Sequence, residues 1–278
     1  MRLLKLIFLI LLLQIYKGQD KKRTIKSEEI ISYEFNRNNK LFKRRDINYG
    51  EFSTFNHKGQ LQEKGVLIWD YSTQKDERRI IERYHYKDTL LVGMEKFRES
   101  SGEKYQEMEN QFNEAHKLEK KIVRSFENGK EVFKKNSSLY MNIEYDNNSQ
   151  IGKMYEYDED TKEFKLAETS ISTFDNKQNL KEKKIIDSDN KVFEIKTFEY
   201  NKNEKVIKYT STISQANPNI TYYSYNSNND PIKLTNTFGN NKIEITCSYK
   251  YDDNSNWIEK TQCTDGEEYL VTRKIEYY

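Results

Sequence analysis

The stretch IEITCSYKYDDNSNWIEKTQC, from Ile243 to Cys263, decides the reading of the whole chain. Ile243, Ile245, Cys247, Tyr249 and Tyr251 alternate with Glu244, Thr246, Ser248 and Lys250, the two-residue period of a strand with one apolar face. Asp252 to Asn256 interrupt the alternation with turn formers, and Trp257 begins a second strand. One hairpin is thus marked by an aromatic residue, an Asp or Asn directly after it, and an apolar residue six positions beyond.

That mark recurs along the chain. FDNKQNL starts at Phe174, YNKNEKV at Tyr200, YNSNNDPI at Tyr225 and YDDNSNW at Tyr251, at intervals of 26, 25 and 26 residues. Upstream copies are FNRNNKL at Phe35, FNHKGQL at Phe55, FNEAHKL at Phe112 and YDNNSQI at Tyr145, with a degenerate copy near Tyr86. Further turn signals, such as ENG ending at Gly129 and DSDN from Asp187 to Asn190, fall between the copies. Each repeat therefore reads as strand, turn, strand, turn. The expected fold is all-β: an elongated or curled antiparallel meander of about nine tandem β-hairpin repeats with a period of about 26 residues. The Asp or Asn of each mark can bond the backbone two residues on, and Asn38, Asn39, Gly59, Asn148, Asn203, Asn228, Asn229 and Asn254 stand where positive φ is expected.

Composition supports a thin fold. Hydrophobic residues make up 35% and charged residues 33%, too little apolar side chain for a thick, layered core, yet 21 Tyr and 14 Phe are too many for a disordered chain. Lys and Arg total 47 against 45 for Asp and Glu, so no basic footprint points to nucleic acid.

The opening MRLLKLIFLILLLQIYKGQ sets Arg2 and Lys5 against an apolar run from Leu6 to Leu13, the layout of a secretory signal peptide cleaved after Gly18. An uncleaved anchor is the alternative. The run is shorter than a spanning helix needs, so no membrane span is expected after cleavage. The expected division is a signal peptide over 1–18, a lead-in over 19–32 and a repeat domain over 33–278, in a protein exported to the periplasm or the extracellular space.

The pattern of YKYDDNSNW at Tyr249 to Trp257, YEYDED at Tyr155 to Asp160 and FNHKGQL at Phe55 to Leu61 resembles the YD repeat of the RHS family of bacterial surface and secreted proteins. The resemblance implies a repeat scaffold in a secreted or surface setting and implies no activity.

The two cysteines, Cys247 and Cys263, flank the Tyr251 turn symmetrically about Ser255, which makes them a candidate disulfide; two free thiols or a one-step register shift is the alternative. His57, His85 and His116 lie in no metal-ligand or nucleophile motif, and the DED run at Asp158 to Asp160 reads as a solvated turn. No catalytic, cofactor-binding or metal-binding set is expected. Trp69, Tyr222, Tyr223, Tyr225 and Trp257 are the candidate ligand-facing aromatics, for a protein or glycan of the cell envelope. The leading expectation is a non-catalytic binding or structural scaffold. The alternatives are an envelope-polymer hydrolase with paired carboxylates, and a toxin-associated or immunity partner.

Overall fold

The computed structural model describes residues 24–35, 41–43, 50–133, 139–146, 148–214, 216–264 and 266–278. The expected signal peptide, and Asn38 and Asn39 of the first turn, lie outside the described residues. Every described element is a β-strand. In chain order they are β1 (Ile25–Phe35), β2 (Leu41–Lys43), β3 (Gly50–Phe55), β4 (Leu61–Asp70), β5 (Lys75–Lys87), β6 (Leu90–Phe97), β7 (Lys104–Phe112), β8 (Leu118–Glu127), β9 (Lys130–Val132) and β10 (Leu139–Asp146). There follow β11 (Ser149–Asp158), β12 (Glu163–Phe174), β13 (Leu180–Asp187), β14 (Val192–Tyr200), β15 (Val206–Ile213), β16 (Asn219–Tyr225), β17 (Pro231–Phe238), β18 (Asn241–Tyr251), β19 (Trp257–Thr264) and β20 (Glu267–Tyr277).

The strands pair antiparallel, nearly always with their sequence neighbours, and the sheet closes on itself. β1 pairs with β20 on one side and with β3 on the other. The two shortest strands are accessory: β2 extends along β1 beyond β3, and β9 along β8 beyond β10. Setting them aside leaves 18 staves in one ring. The elongated or curled meander expected from the repeats is therefore corrected to a closed 18-stranded antiparallel barrel. The expected lead-in over 19–32 also changes role, since its residues from Ile25 onward belong to the closing stave β1.

Closure has a physical motive and a local mechanism. An open single-layer sheet leaves two rows of unpaired amides and carbonyls at its edges, and closure satisfies both. The coiling comes from a repeated β-bulge, which increases twist and bends the bulged strand. Phe55 pairs with Leu61, Phe112 with Leu118, Phe174 with Leu180, Tyr200 with Val206, Tyr225 with Pro231 and Tyr251 with Trp257, and in each case the register shifts at that pair. The six-residue spacing seen in the sequence is thus the spacing of a hairpin's last direct pair.

The turns follow the expected chemistry with one displacement. Asn56 Oδ1 accepts the amides of Lys58 and Gln60 at 2.9 and 3.0 Å, and Asp252 Oδ1 accepts those of Asn254 and Asn256, both at 2.9 Å. Positive φ falls three residues after the Asp or Asn, at Gly59, His116, Gln178, Glu204, Asn229 and Ser255. Asn203, Asn228 and Asn254 stand one position too early, and Asn148 is likewise not in that region. The two side-chain hydrogen bonds hold the loop firmly enough for Glu204 and Gln178 to take a left-handed conformation that costs a non-glycine residue roughly 1 kcal/mol.

The ring is hollow. Strand pairs with substantial contact are all hydrogen-bonded neighbours. Barrels of 16 to 18 strands are wide enough to hold water.

Candidate functional site: the two faces of the barrel

On β18 exposure distinguishes the two faces of the sheet. Along β18, Ile245 is buried and Ile243, Cys247, Tyr249 and Tyr251 are half-buried, whereas Thr246, Ser248 and Lys250 are exposed. In a closed sheet the crowded side is the concave one, so the first set lines the lumen. Register carries this assignment around the ring, because residues directly opposite share a face.

The inner wall is aromatic near the turns that carry the repeat mark, and those aromatics are stitched to the hairpin before them. Tyr145 Oη donates to the Leu118 carbonyl at 3.0 Å, Tyr200 to Leu180 at 2.8 Å, Tyr225 to Val206 at 2.7 Å and Tyr249 to Pro231 at 2.8 Å. Tyr251 donates to Asp230 Oδ2 at 2.7 Å, and Tyr277 donates to Asp252. Burial pushes the phenols of Tyr223 and Tyr251 up to about 12, and moves Tyr84, Tyr225 and Tyr249 in the same direction. Deeper in the wall are small and charged groups. Arg273, with a side chain only 3% exposed, pairs with Glu28 and lies 5.0 Å over the Trp257 ring. Lys196 pairs with Glu194 at 2.9 Å and Lys64 with Glu51 at 3.2 Å.

The outer face is charged at mid-strand. A continuous network crosses β4 to β8: Glu63 to Arg83 at 3.2 Å, Arg83 to Glu95 at 3.9 Å, Glu95 to Lys104 at 3.4 Å, Lys104 to Glu107 at 2.7 Å, Glu107 to Arg124 at 3.6 Å and Arg124 to Glu109 at 2.7 Å. Cross-strand pairs continue it at Glu144 and Lys153, Glu199 and Lys208, Lys233 and Glu244, and Lys250 and Glu259. Two apolar groups interrupt the charge. Phe52, Leu67, Ile31, Trp69 and Ile80 cluster on β1 and β3 to β5. Phe133, Tyr140, Tyr155, Tyr157 and Phe164 form the other, with Tyr140 and Tyr155 stacked at 4.7 Å.

The sequence candidates are distributed over both faces. Tyr223, Tyr225 and Trp257 line the lumen, while Tyr222, 46% exposed, faces outward and Trp69 belongs to the outer apolar group. Cys247 and Cys263 are free thiols. Cys247 stands opposite Gln262 and Cys263 opposite Thr246, so the two lie on opposite faces and the geometry expected for the disulfide is not present. The register shift at Tyr251, with Ile258 as the extra residue, moves the partner by one. His85 contacts Glu95 at 3.2 Å, His57 packs on the Tyr278 ring, and His116 occupies a turn. Asp158 accepts the Thr161 amide and pairs with Lys165 at 2.8 Å, the behaviour of a turn residue. No cluster of metal-ligating side chains occurs among the described residues.

The outer network and the inner lysines escaped the sequence reading, although strand parity could have found them. Glu244 and Lys250 occupy the opposite parity to Tyr249.

Fold and walls define a single-layer, closed, antiparallel barrel of 18 staves with a stitched aromatic lumen. No family model and no curated protein matches the chain. Among solved structures it is similar to a porin-like protein from Bacteroides uniformis ATCC 8492, at 10% identity over 91% of this chain and 98% of that one, with a TM-score of 0.48. It is also similar to a porin-like protein from Bacteroides vulgatus ATCC 8482, at 10% identity over 92% and 99% with a TM-score of 0.37. A third likeness, to TcdB2-TccC3, has 11% identity, covers 81% of this chain and 15% of that one, and has a TM-score of 0.33. The functional reading rests on the two walls.

Proposed function

We propose that this chain is an exported, non-catalytic barrel of the bacterial envelope or secreted fraction that stands in water and binds its ligand, a protein segment or a glycan, within the lumen. The observation that carries the reading is the charged network at mid-height on the outer wall, paired with an aromatic inner wall. A membrane-spanning barrel needs the reverse, an apolar outward band about 25 Å tall, and each Arg or Lys facing lipid at mid-depth costs about 2–4 kcal/mol. The carboxylates also speak for binding over hydrolysis. A glycosidase-type acid needs a carboxyl pushed upward, whereas Asp70, Glu95, Glu109, Asp158, Asp175, Glu194 and Glu244 are all held below the ordinary range by hydrogen bonds and cations that outweigh any desolvation.

The test is purification of the mature chain without detergent, addition to planar bilayers, and in-cell crosslinking from periplasm, envelope and medium. The expected result is a monodisperse protein in buffer, no stepwise conductance, and a captured partner crosslinked to inner-wall residues such as Tyr223. A requirement for detergent, or conductance steps, would overturn the reading.

A further inference from the structure

One stretch of the inner wall carries a nucleophile that the stitching leaves unused. Lys260 on β19 stands opposite Tyr249 of β18 on one side and Val271 of β20 on the other, which places it on the lumen face. Around it on the same face stand Tyr249, Tyr251 and Trp257, and Val271 opposite is buried at 7% exposure. Arg273, Lys196 and Lys64 on the same wall each hold a carboxylate. Lys260 makes no ion pair among the described residues. The titratable groups beside it on the same face are the Cys247 thiol and the Tyr249 and Tyr251 phenols on β18, and Tyr269 and Arg273 on β20. Desolvation pushes the Lys260 ammonium down, raising the share of free amine at neutral pH, and pushes the Cys247 thiol up, lowering its share of thiolate.

We propose that Lys260 is a capture residue of the lumen, condensing with apolar or aromatic aldehydes that enter it. The Nζ lone pair adds to the carbonyl carbon, a proton passes to the oxygen, and the carbinolamine loses one water to leave an imine. No oxidant or reductant is consumed. Tyr249 and Tyr251 supply flat faces for an aromatic aldehyde at that place. The inference rests on the lumen-binding reading given above.

The test treats the full chain with benzaldehyde and sodium cyanoborohydride near neutral pH, so that any imine is fixed as a benzylamine, and maps the modified lysines by peptide mass spectrometry. Adducts of the Cys247 thiol are not fixed by this reagent. Lys260 is expected to be labelled several-fold faster than the exposed Lys250 and Lys191, since desolvation enlarges its free-amine fraction. Lys260→Arg is expected to abolish that label and leave the others unchanged. If Lys260→Arg fails to fold, the ratio measured on the unaltered chain decides. Labelling of Lys121 and Lys183 on the inner wall, with Lys260 no faster than Lys250, would overturn the capture role alone. Labelling confined to outer lysines would overturn the lumen reading together with it.

Discussion

Arg273 and Glu28 show how one pair of residues can govern the ring. They join the last stave to the first across 245 positions of sequence, and Arg273 Nε donates to Glu28 Oε2 at 2.9 Å. Arg273→Met leaves a carboxylate buried without its partner, for which about 3–5 kcal/mol of lost stability is expected. Guanidinium denaturation checks this, and the double variant with Glu28→Gln should recover part of the loss. The lumen tyrosines give a second prediction. Tyr223 and Tyr251 ionise at about 12 in the folded barrel, against about 10 in an unfolded chain. Below pH 10 the phenols are neutral in both states and their contribution is complete. Between about 10 and 12 only the unfolded chain ionises, so stability falls as pH rises. Denaturation midpoints should be flat up to about pH 9 and then decline, with phenolate absorbance rising in step with unfolding. Midpoints that stay flat through pH 12 would show these rings to be solvated.

Single hairpins were legible in the sequence because turn chemistry is local. Asp252, its two accepted amides and the pairing of Tyr251 with Trp257 all fall within a few residues of one another. Strand facing was not legible past the bulge. Ile258 adds one residue to β19, and every expectation drawn by symmetry across that turn, the pairing of Cys247 with Cys263 above all, comes out one step wrong. Tyr155 faces outward although its YEYDED context reads like the inward copies, because YEYDED leads into the β11–β12 turn, at the opposite end of the staves from the Tyr145 turn. The register makes a direct prediction: Gln262→Cys combined with Cys263→Ser should form a disulfide with Cys247 under mild oxidation, while the unaltered chain should titrate two free thiols. Directly opposed residues in an antiparallel pair bring their Cβ atoms to about 4.5–5.5 Å, close enough to bridge with a small adjustment. Two reactive thiols in the oxidised variant would refute the pairing of Cys247 with Gln262.

Closure of the whole ring was beyond the reach of the sequence because no residue encodes it. The twist added at each bulge is small, and only the sum over 18 staves brings β1 to β20. The hollow interior is likewise a property of stave number and tilt, not of composition. A compact chain of this length would have a radius of gyration of roughly 19 Å, and the barrel should exceed that clearly in small-angle X-ray scattering, with the depleted short distances of a shell. A value near 19 Å would mean that the lumen has collapsed.

The seam has one more consequence. The Tyr278 amide donates to the Thr24 carbonyl at 3.1 Å, so the first and last described residues meet within a single hydrogen bond. A short linker could join them, and the chain could be cut instead at any of the exposed Asn- or Asp-capped turns, leaving the same ring of neighbours. Topologically the barrel has no first stave, and circular permutants opened at different turns are alternative spellings of one object.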